Sequence, residues 1–216
     1  CCVVYIECSY KHINKTQKKR TLLRSKRQFK TATMFKRFDP SDCSTSTQVK
    51  TSAQRAIKAQ ILESHPALNS DDIDEILPKK PPLMQYKSPG HVTIFCRDSE
   101  PIFFQHRDGP ILPTLRFVHR YPHVGWTHAI VDKGAIPFIL GGAHIMCVGL
   151  TSAGGSMPTD LEAGRGLVIM AEGKDSAIAV GSMKLSTHDV KNKNKGVGID
   201  CAHFLGDDLF NTNEIS

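Results

Sequence analysis

Apolar residues recur three and four positions apart at Val49, Ala53, Ala56, Ile57 and Ile61, which predicts an amphipathic helix ending near Pro66. Ser44 to Thr47 supply N-cap candidates ahead of it. The stretch DDIDEIL repeats the signal on a smaller scale: acids in the first turn, Ile73, Ile76 and Leu77 to one side, and Pro78 as the stop. The period then shortens. HVTIFC and PIFFQH read as strands, and the polar RDSE between them makes an antiparallel hairpin. PTLRFVHRYP reads as a short helix bounded by prolines. This half is a compact α+β unit.

The texture changes near residue 125. Thirteen of the 16 glycines fall at or after Gly134, so turns become frequent there. LVIMAE and AIAVGSMKL are short apolar runs joined by the turn-like GKDS, which argues for a small β-barrel or sandwich. At its start, Asp132 is placed to cap a short helix beginning at Lys133, and Gly141–Gly142 to end it. IMCVGL is then expected to continue as a buried strand.

Composition changes this picture in three places. The net charge is +7, but residues 1–33 hold nine basic residues against Glu7 alone, whereas residues 34–216 hold 19 basic and 20 acidic residues. The basicity is therefore an arm, and an anionic partner of the body must find a local patch. The arm shows no sustained apolar period and is expected to be disordered, as an RNA-binding or nuclear-targeting arm, as a passive tail, or as upstream sequence that the mature protein lacks, since Met34 opens a more globular pattern. No apolar run reaches the roughly 18 residues that a membrane span needs. The opening CCVVYIEC is too short for a signal peptide and contains Glu7. Seven cysteines, an odd number without a CxxC pair, argue for reduced thiols; Cys96 and Cys147 read as small buried hydrophobes.

The stretch VDKGAIPFILGGAHIMCVGLTS resembles the start of a PUA domain, a pseudo-barrel that binds structured RNA. LVIMAEGKDSAIAVGSMKLS resembles its later hairpin, and KNKGVGIDCAHFLGDDL its closing segment. With MFKRFDP, the PKK at Pro78 to Lys80, and RDGPILPTLRFVHRYP, the match widens to the malignant T-cell-amplified sequence protein family over nearly all of residues 34–216. The resemblance implies an N-terminal α+β domain at 34–126, a PUA pseudo-β-barrel at 127–207 and a C-terminal tail at 208–216, behind a basic extension at 1–33. It implies a cytoplasmic, non-catalytic translation factor that pairs with density-regulated protein. The pair acts on the small ribosomal subunit and its rRNA, promoting release of deacylated tRNA, recycling and reinitiation. Initiation factor 2D joins similar domains in one chain. No cofactor, metal or membrane is implied. The chain departs from the family in its first 33 residues and at Val124 to Thr127, where Gly125 and Trp126 precede the barrel.

On the residues themselves, Lys133 and Gly134 open the short helix, where free N–H groups and a lysine suit a phosphate; the alternative is a solvated lysine and a packing glycine. Gly141 and Gly142 read as a helix stop. Lys79, Lys80, Arg107, Arg116, His119 and Arg120 are candidates for a basic face that meets ribosomal RNA, the last three sharing one side of a helix. Phe138 is a core residue or, if exposed, a partner contact. Thr114 and Ser152 are hydroxyls whose phosphorylation would alter RNA contact. Catalysis finds no nucleophile elbow, P-loop or dinucleotide fingerprint, and the His144–Cys147 spacing on a strand points the two side chains to opposite faces. His119, His123 and His128 hint at zinc, but Pro122 breaks the helix that would align the first two. A nuclear RNA adaptor driven by the arm is the remaining class.

Overall fold

The computed structural model describes residues 34–215; the arm expected to be disordered lies outside the described residues. The first half is an antiparallel meander, β1 (Ser44–Gln48), β2 (Met84–Ser88), β3 (Val92–Arg97), β4 (Glu100–His106) and β5 (Ile111–Pro113), paired in that order. Two helices, α1 (Thr51–Ser64) and α2 (Ser70–Ile76), lie between β1 and β2, and α3 (Leu115–Arg120) follows β5.

Two sequence expectations shift here. Ser44 to Thr47 form strand β1 rather than a cap, and α1 starts behind Lys50 with no side-chain cap. Val49 is buried ahead of the helix, whereas Ala53 and Ala56 face solvent. The inward stripe is Gln54, Ile57, Ile61 and Ser64, a spacing that alanines obscured because they suit either face. Buried Gln54 is satisfied by donating to the Pro78 carbonyl at 3.2 Å. By contrast α2 is terminated as expected. Asn69 and Asp72 form a reciprocal capping box, Ile73 and Ile76 point inward, and the helix stops before Pro78. The β3–β4 hairpin turns on Asp98 and Ser99, both at positive φ (49° and 66°), the geometry a tight two-residue hairpin requires.

The second half is a curled five-stranded sheet in the order β6 (His128–Val131), β8 (Gly166–Ala171), β9 (Ala177–Met183), β10 (Val197–Phe204) and β7 (Ile145–Met146). Strands β6 and β8 run parallel and the other pairs antiparallel. The run IMCVGL does not continue as one strand. Only Ile145 and Met146 pair with β10, and Cys147–Thr151 turn into helix α5. The helix buries Cys147, Gly149 and Leu150 and brings the Gly149 carbonyl to the Asp132 N–H at 3.1 Å, a contact a straight strand would miss.

One apolar core joins the two sheets. Val168, Ala177 and Val180 of the second sheet pack in the same cluster as Phe103, Leu115, Phe117 and Trp126. Strand β8 approaches through Gly166, where a Cβ would fall 2.7 Å from Leu112 Cδ2 and 3.1 Å from the His65 ring. A side chain at that position would overpack the seam, a change that typically costs 1–3 kcal/mol. Residues 208–215, expected as a tail, pack instead. Asp207 accepts from His203 Nδ1 at 2.8 Å and caps the C-terminal helix (Asp208–Asn211) through the Phe210 N–H. The Asp208 N–H donates to the Phe35 carbonyl at 3.1 Å. Leu209 and Ile215 are buried, and the Ile215 N–H reaches the Ser99 carbonyl in the β3–β4 turn at 2.8 Å.

His65 sits in this seam, fully buried, edge-on to Trp126 at 5.9 Å. Neither ring nitrogen has a partner at hydrogen-bonding geometry among the described residues. Burial pushes its pKa down from 6.5 to about 4, against a weaker opposing pull from the Ile111 backbone. The unfolded chain therefore takes up a proton that the folded chain refuses. The contribution of neutral His65 is complete above pH 6.5 and is lost as pH falls toward 4, by roughly 3 kcal/mol in all. Urea unfolding at a series of pH values should show wild type losing stability between pH 6.5 and 4 more steeply than His65→Leu; parallel profiles would contradict the assignment.

Candidate nucleic-acid interface

At the start of the second domain, Asp132 organises the chain. Its Oδ1 accepts the Ala135 N–H at 2.8 Å, and its Oδ2 accepts the Ser152 hydroxyl at 2.5 Å. A 3₁₀ turn (Lys133–Ala135) follows and runs directly into helix α4 (Ile136–Leu140), with Pro137 in its first turn. The helix ends where expected. The Gly141 N–H reaches the Pro137 and Phe138 carbonyls, and Gly142 takes φ +83°, a conformation glycine adopts freely.

This local geometry decides what faces outward. The Lys133 side chain is 71% exposed, and its nearest carboxylate, Glu172, is 3.9 Å away, so the pairing is loose and solvated. Gly134 is exposed beside it; a Cβ there would come within 3.0 Å of the capping Asp132 Oδ1. Of the apolar residues on α4, Ile139 enters the core, while Phe138 is 62% and Leu140 40% exposed. Five residues give the helix one inward stripe, and Phe138 falls outside it. On α5, Val148 is also exposed. Gly149 packs against Ala135, and the Thr151 hydroxyl donates to Asn194 Oδ1 at 2.6 Å, so α5 stands beside the Lys133 turn. A lysine, an open glycine and three exposed apolar side chains thus share one end of the barrel.

The cations of the first domain do not all share one face, since Arg107 stands apart at the far end of β4. Arg120 is held bidentate by Glu100, its two nitrogens at 2.5 and 2.6 Å from the carboxylate oxygens. Arg116 donates through Nε to the Phe210 carbonyl, with its guanidinium 5.3 Å from the Phe210 ring centre. The His119 ring donates through Nε2 to the Ala177 carbonyl at 2.8 Å. The helical spacing of these three was legible, but Arg116 and His119 bond across the domains and Arg120 is paired within the first. Arg107 lies in the turn after β4, while Glu100, the anchor of Arg120, opens that strand. Six residue steps at about 3.3 Å put roughly 20 Å between those two ends. Lys79 and Lys80 are exposed in the loop between α2 and β2, beyond the Ile76 carbonyl that accepts from Arg97.

Other candidates resolve individually. Thr114 is 2% exposed; its hydroxyl donates to the Pro101 carbonyl and caps α3, so a phosphate has no room there. The Ser152 hydroxyl is already given to Asp132, and a phosphate would set two anions together. Burial pushes all four described thiols up, Cys96 and Cys201 to about 12, the opposite of an activated nucleophile. Cys147 Sγ turns to the Lys195 carbonyl, and His144 Nδ1 accepts the Cys201 N–H, so the two do not pair. His123 meets Glu75 at 2.9 Å, and His128 Nδ1 donates to the Trp126 carbonyl at 3.1 Å. Among the described residues, no group of three or more His, Cys, Asp or Glu is arranged to hold a metal. Sequence reasoning missed the seam of His65 and Trp126 and the buried His203–Asp207 pair; the Gly125–Trp126 dipeptide was the available signal for the first.

A sheet-and-helix first domain closed onto a curled sheet with one short capped helix defines a two-part PUA protein. Two family models match in that order: the Pre-PUA-like domain over residues 38–122, and the elF2D, PUA domain over residues 126–208. The fold is shared with a hypothetical protein of Pyrococcus horikoshii (TM-score 0.64, 20% identity, 77% of this chain and 98% of that one). It is shared also with a conserved PUA-domain protein of Thermoplasma acidophilum (TM-score 0.55, 20% identity, 77% and 98%). In sequence, the chain is 47% identical to malignant T-cell-amplified sequence 1 homolog of Dictyostelium discoideum, over 82% of this chain and 97% of that protein. It is 44% identical to translation machinery-associated protein 20 of Schizosaccharomyces pombe, over 83% and 98%. The chain belongs to this family. No helix among the described residues is long and apolar enough to cross a membrane.

Asp132 is the keystone of the barrel end, and Asp132→Ala removes both of its side-chain bonds. Loss of an N-cap of this kind typically costs about 1 kcal/mol, within a range of 0.5–2. Chemical denaturation should therefore show a lower midpoint with an unchanged slope, and amide exchange should speed up at Ala135 before the core. Unchanged stability and exchange would show that the cap carries nothing.

Proposed function

We propose that the chain is a non-catalytic RNA-binding translation factor. It acts in the cytoplasm on the small ribosomal subunit and its rRNA, together with density-regulated protein, in tRNA release, recycling and reinitiation. The observation that carries this reading is the Lys133–Gly134 turn, held out on the PUA barrel by the Asp132 cap, with a solvated lysine and open backbone beside it. An RNA backbone can approach such a surface closely, and the lysine neutralises a phosphate there. The relatives, translation machinery-associated protein 20 among them, support the setting. The raised pKa of the described thiols supports a binding role over a catalytic one.

Exposed Phe138 is assigned to a protein partner, since 62% exposure of a phenylalanine on a rigid helix is the mark of a surface that is covered in a complex. On the first domain, Lys79, Lys80 and Arg107 remain as outlying RNA contacts. Arg116, His119 and Arg120 contribute through the shape they maintain, and the two arginines through their charge also, since all three already bond within the molecule.

Residues 34–216 carry 19 basic and 20 acidic residues, so binding by the body rests on few phosphate contacts and not on a long-range field. Small-subunit co-sedimentation over a salt series, with a chain beginning at Met34, tests the reading. Lys133→Glu should weaken binding and lower the salt slope by about one unit with the melting temperature unchanged. Phe138→Ser should leave the salt slope intact and reduce recovery of density-regulated protein. Wild-type ribosome binding by Lys133→Glu at physiological salt would remove this turn from the interface.

A further inference from the structure

A second surface, on the hairpin whose Glu172 meets Lys133 at 3.9 Å, has the opposite chemistry. A cleft of about 410 Å³ opens where α3, the 122–126 connection and the β8–β9 hairpin meet. That is within the usual 300–1,000 Å³ of ligand sites. Val118, Trp126, Val168 and Met170 make much of its wall apolar. No lysine or arginine lines it, so it offers a phosphate no cation.

Apart from the Ser176 hydroxyl, which can also donate, its polar side chains present acceptors. The His119 Nε2 faces the Ala177 carbonyl at 2.8 Å, and a carbonyl only accepts, so Nε2 carries the hydrogen and Nδ1 of the neutral ring is an acceptor. The His128 Nδ1 donates likewise to the Trp126 carbonyl at 3.1 Å, which leaves its Nε2 as an acceptor. Both imidazole tautomers are thus fixed by backbone that the fold has already placed. The Asp175 carboxylate stands at the mouth of the cleft, exposed, with no hydrogen-bond or ion-pair partner among the described residues. Glu75, bonded to His123 of the lining at 2.9 Å, adds negative charge nearby.

We propose that this cleft is the docking site for an arginine side chain of a protein partner. The apolar wall covers the methylene stem, as long cationic side chains ordinarily arrange themselves. The guanidinium carries five donors in a plane, enough to serve the carboxylate and the two imidazole acceptors together and to lie along aromatic rings. A lysine ammonium, compact and strongly hydrated, suits such a mixed wall less well. The proposal does not rest on the RNA-binding reading: of the residues that reading names, His119 alone lines the cleft, and it enters here as an acceptor.

Trp126 is the only tryptophan in the chain and lines this cleft, so one indole reports its occupancy. Its Nε1 donates to the Tyr121 carbonyl at 3.0 Å, which gives a single indole N–H resonance to follow. The full chain is titrated with N-acetyl-arginine amide, with the citrulline analogue as its uncharged isostere, and with adenosine. The arginine probe should produce a saturable shift of the indole resonance and a matching fluorescence change, at least tenfold stronger than citrulline. Asp175→Asn should weaken it at least fivefold with an unchanged melting temperature. Equal binding of arginine and citrulline would overturn the proposal, as would an indole silent to every probe. A saturable response to adenosine with none to arginine would reassign the cleft to an RNA base.

Discussion

The close approach of β8 to the first sheet is the constraint on which the rest depends. Gly166 lets the backbone come against Leu112 and His65, and Trp126 closes the gap from the connecting segment. Because the two sheets share a core, the pre-PUA and PUA parts are held as one body by burial as well as by the chain between them. The C-terminal segment secures the arrangement from the other side. Asp207 gathers the His203 ring and the Phe204 and Phe210 N–H groups, and Asp208 reaches back to Phe35 and Phe38.

That closure determines which charges remain available. Arg116, His119 and Arg120 look from their spacing like a basic helix face, yet the Phe210 carbonyl, the Ala177 carbonyl and Glu100 take them up. An arginine that bonds a carbonyl across the domain seam fixes geometry first and presents charge second. Lys133 has the opposite status, with only a loose contact to Glu172 at 3.9 Å. The short capped turn therefore offers the more available cation, with Phe138, Leu140 and Val148 exposed around it. The His119–Asp175 cleft, on the hairpin that carries Glu172, differs in having no lysine or arginine in its lining.

The sequence was most legible where local chemistry decides. The Asn69 capping box, the Asp132 cap, the Gly141–Gly142 stop and the RDSE turn each lie within a few residues of the element they shape. It was least legible where distant contacts decide. IMCVGL has the composition of a strand and becomes a helix because Gly149 must reach Ala135 and Asp132. Alanines at 53 and 56 fit a buried stripe equally well, but Gln54 takes the inward place because the Pro78 carbonyl is there to receive it. At the site, the position of Lys133 was readable, whereas the fate of Arg116 was not, since its partner lies 94 residues away. Phe138 could be posed only as core or surface until the direction of its five-residue helix was known.

The proposed RNA contact is the capped end of the PUA barrel. Ultraviolet crosslinking of the full chain to small ribosomal subunits, followed by identification of the crosslinked peptides, tests this most directly. Crosslinks should concentrate in the segments around Lys133–Gly134 and Val148–Thr151, with few on helix α3. Crosslinks confined to α3 and to residues 1–33, with none on the barrel end, would contradict it.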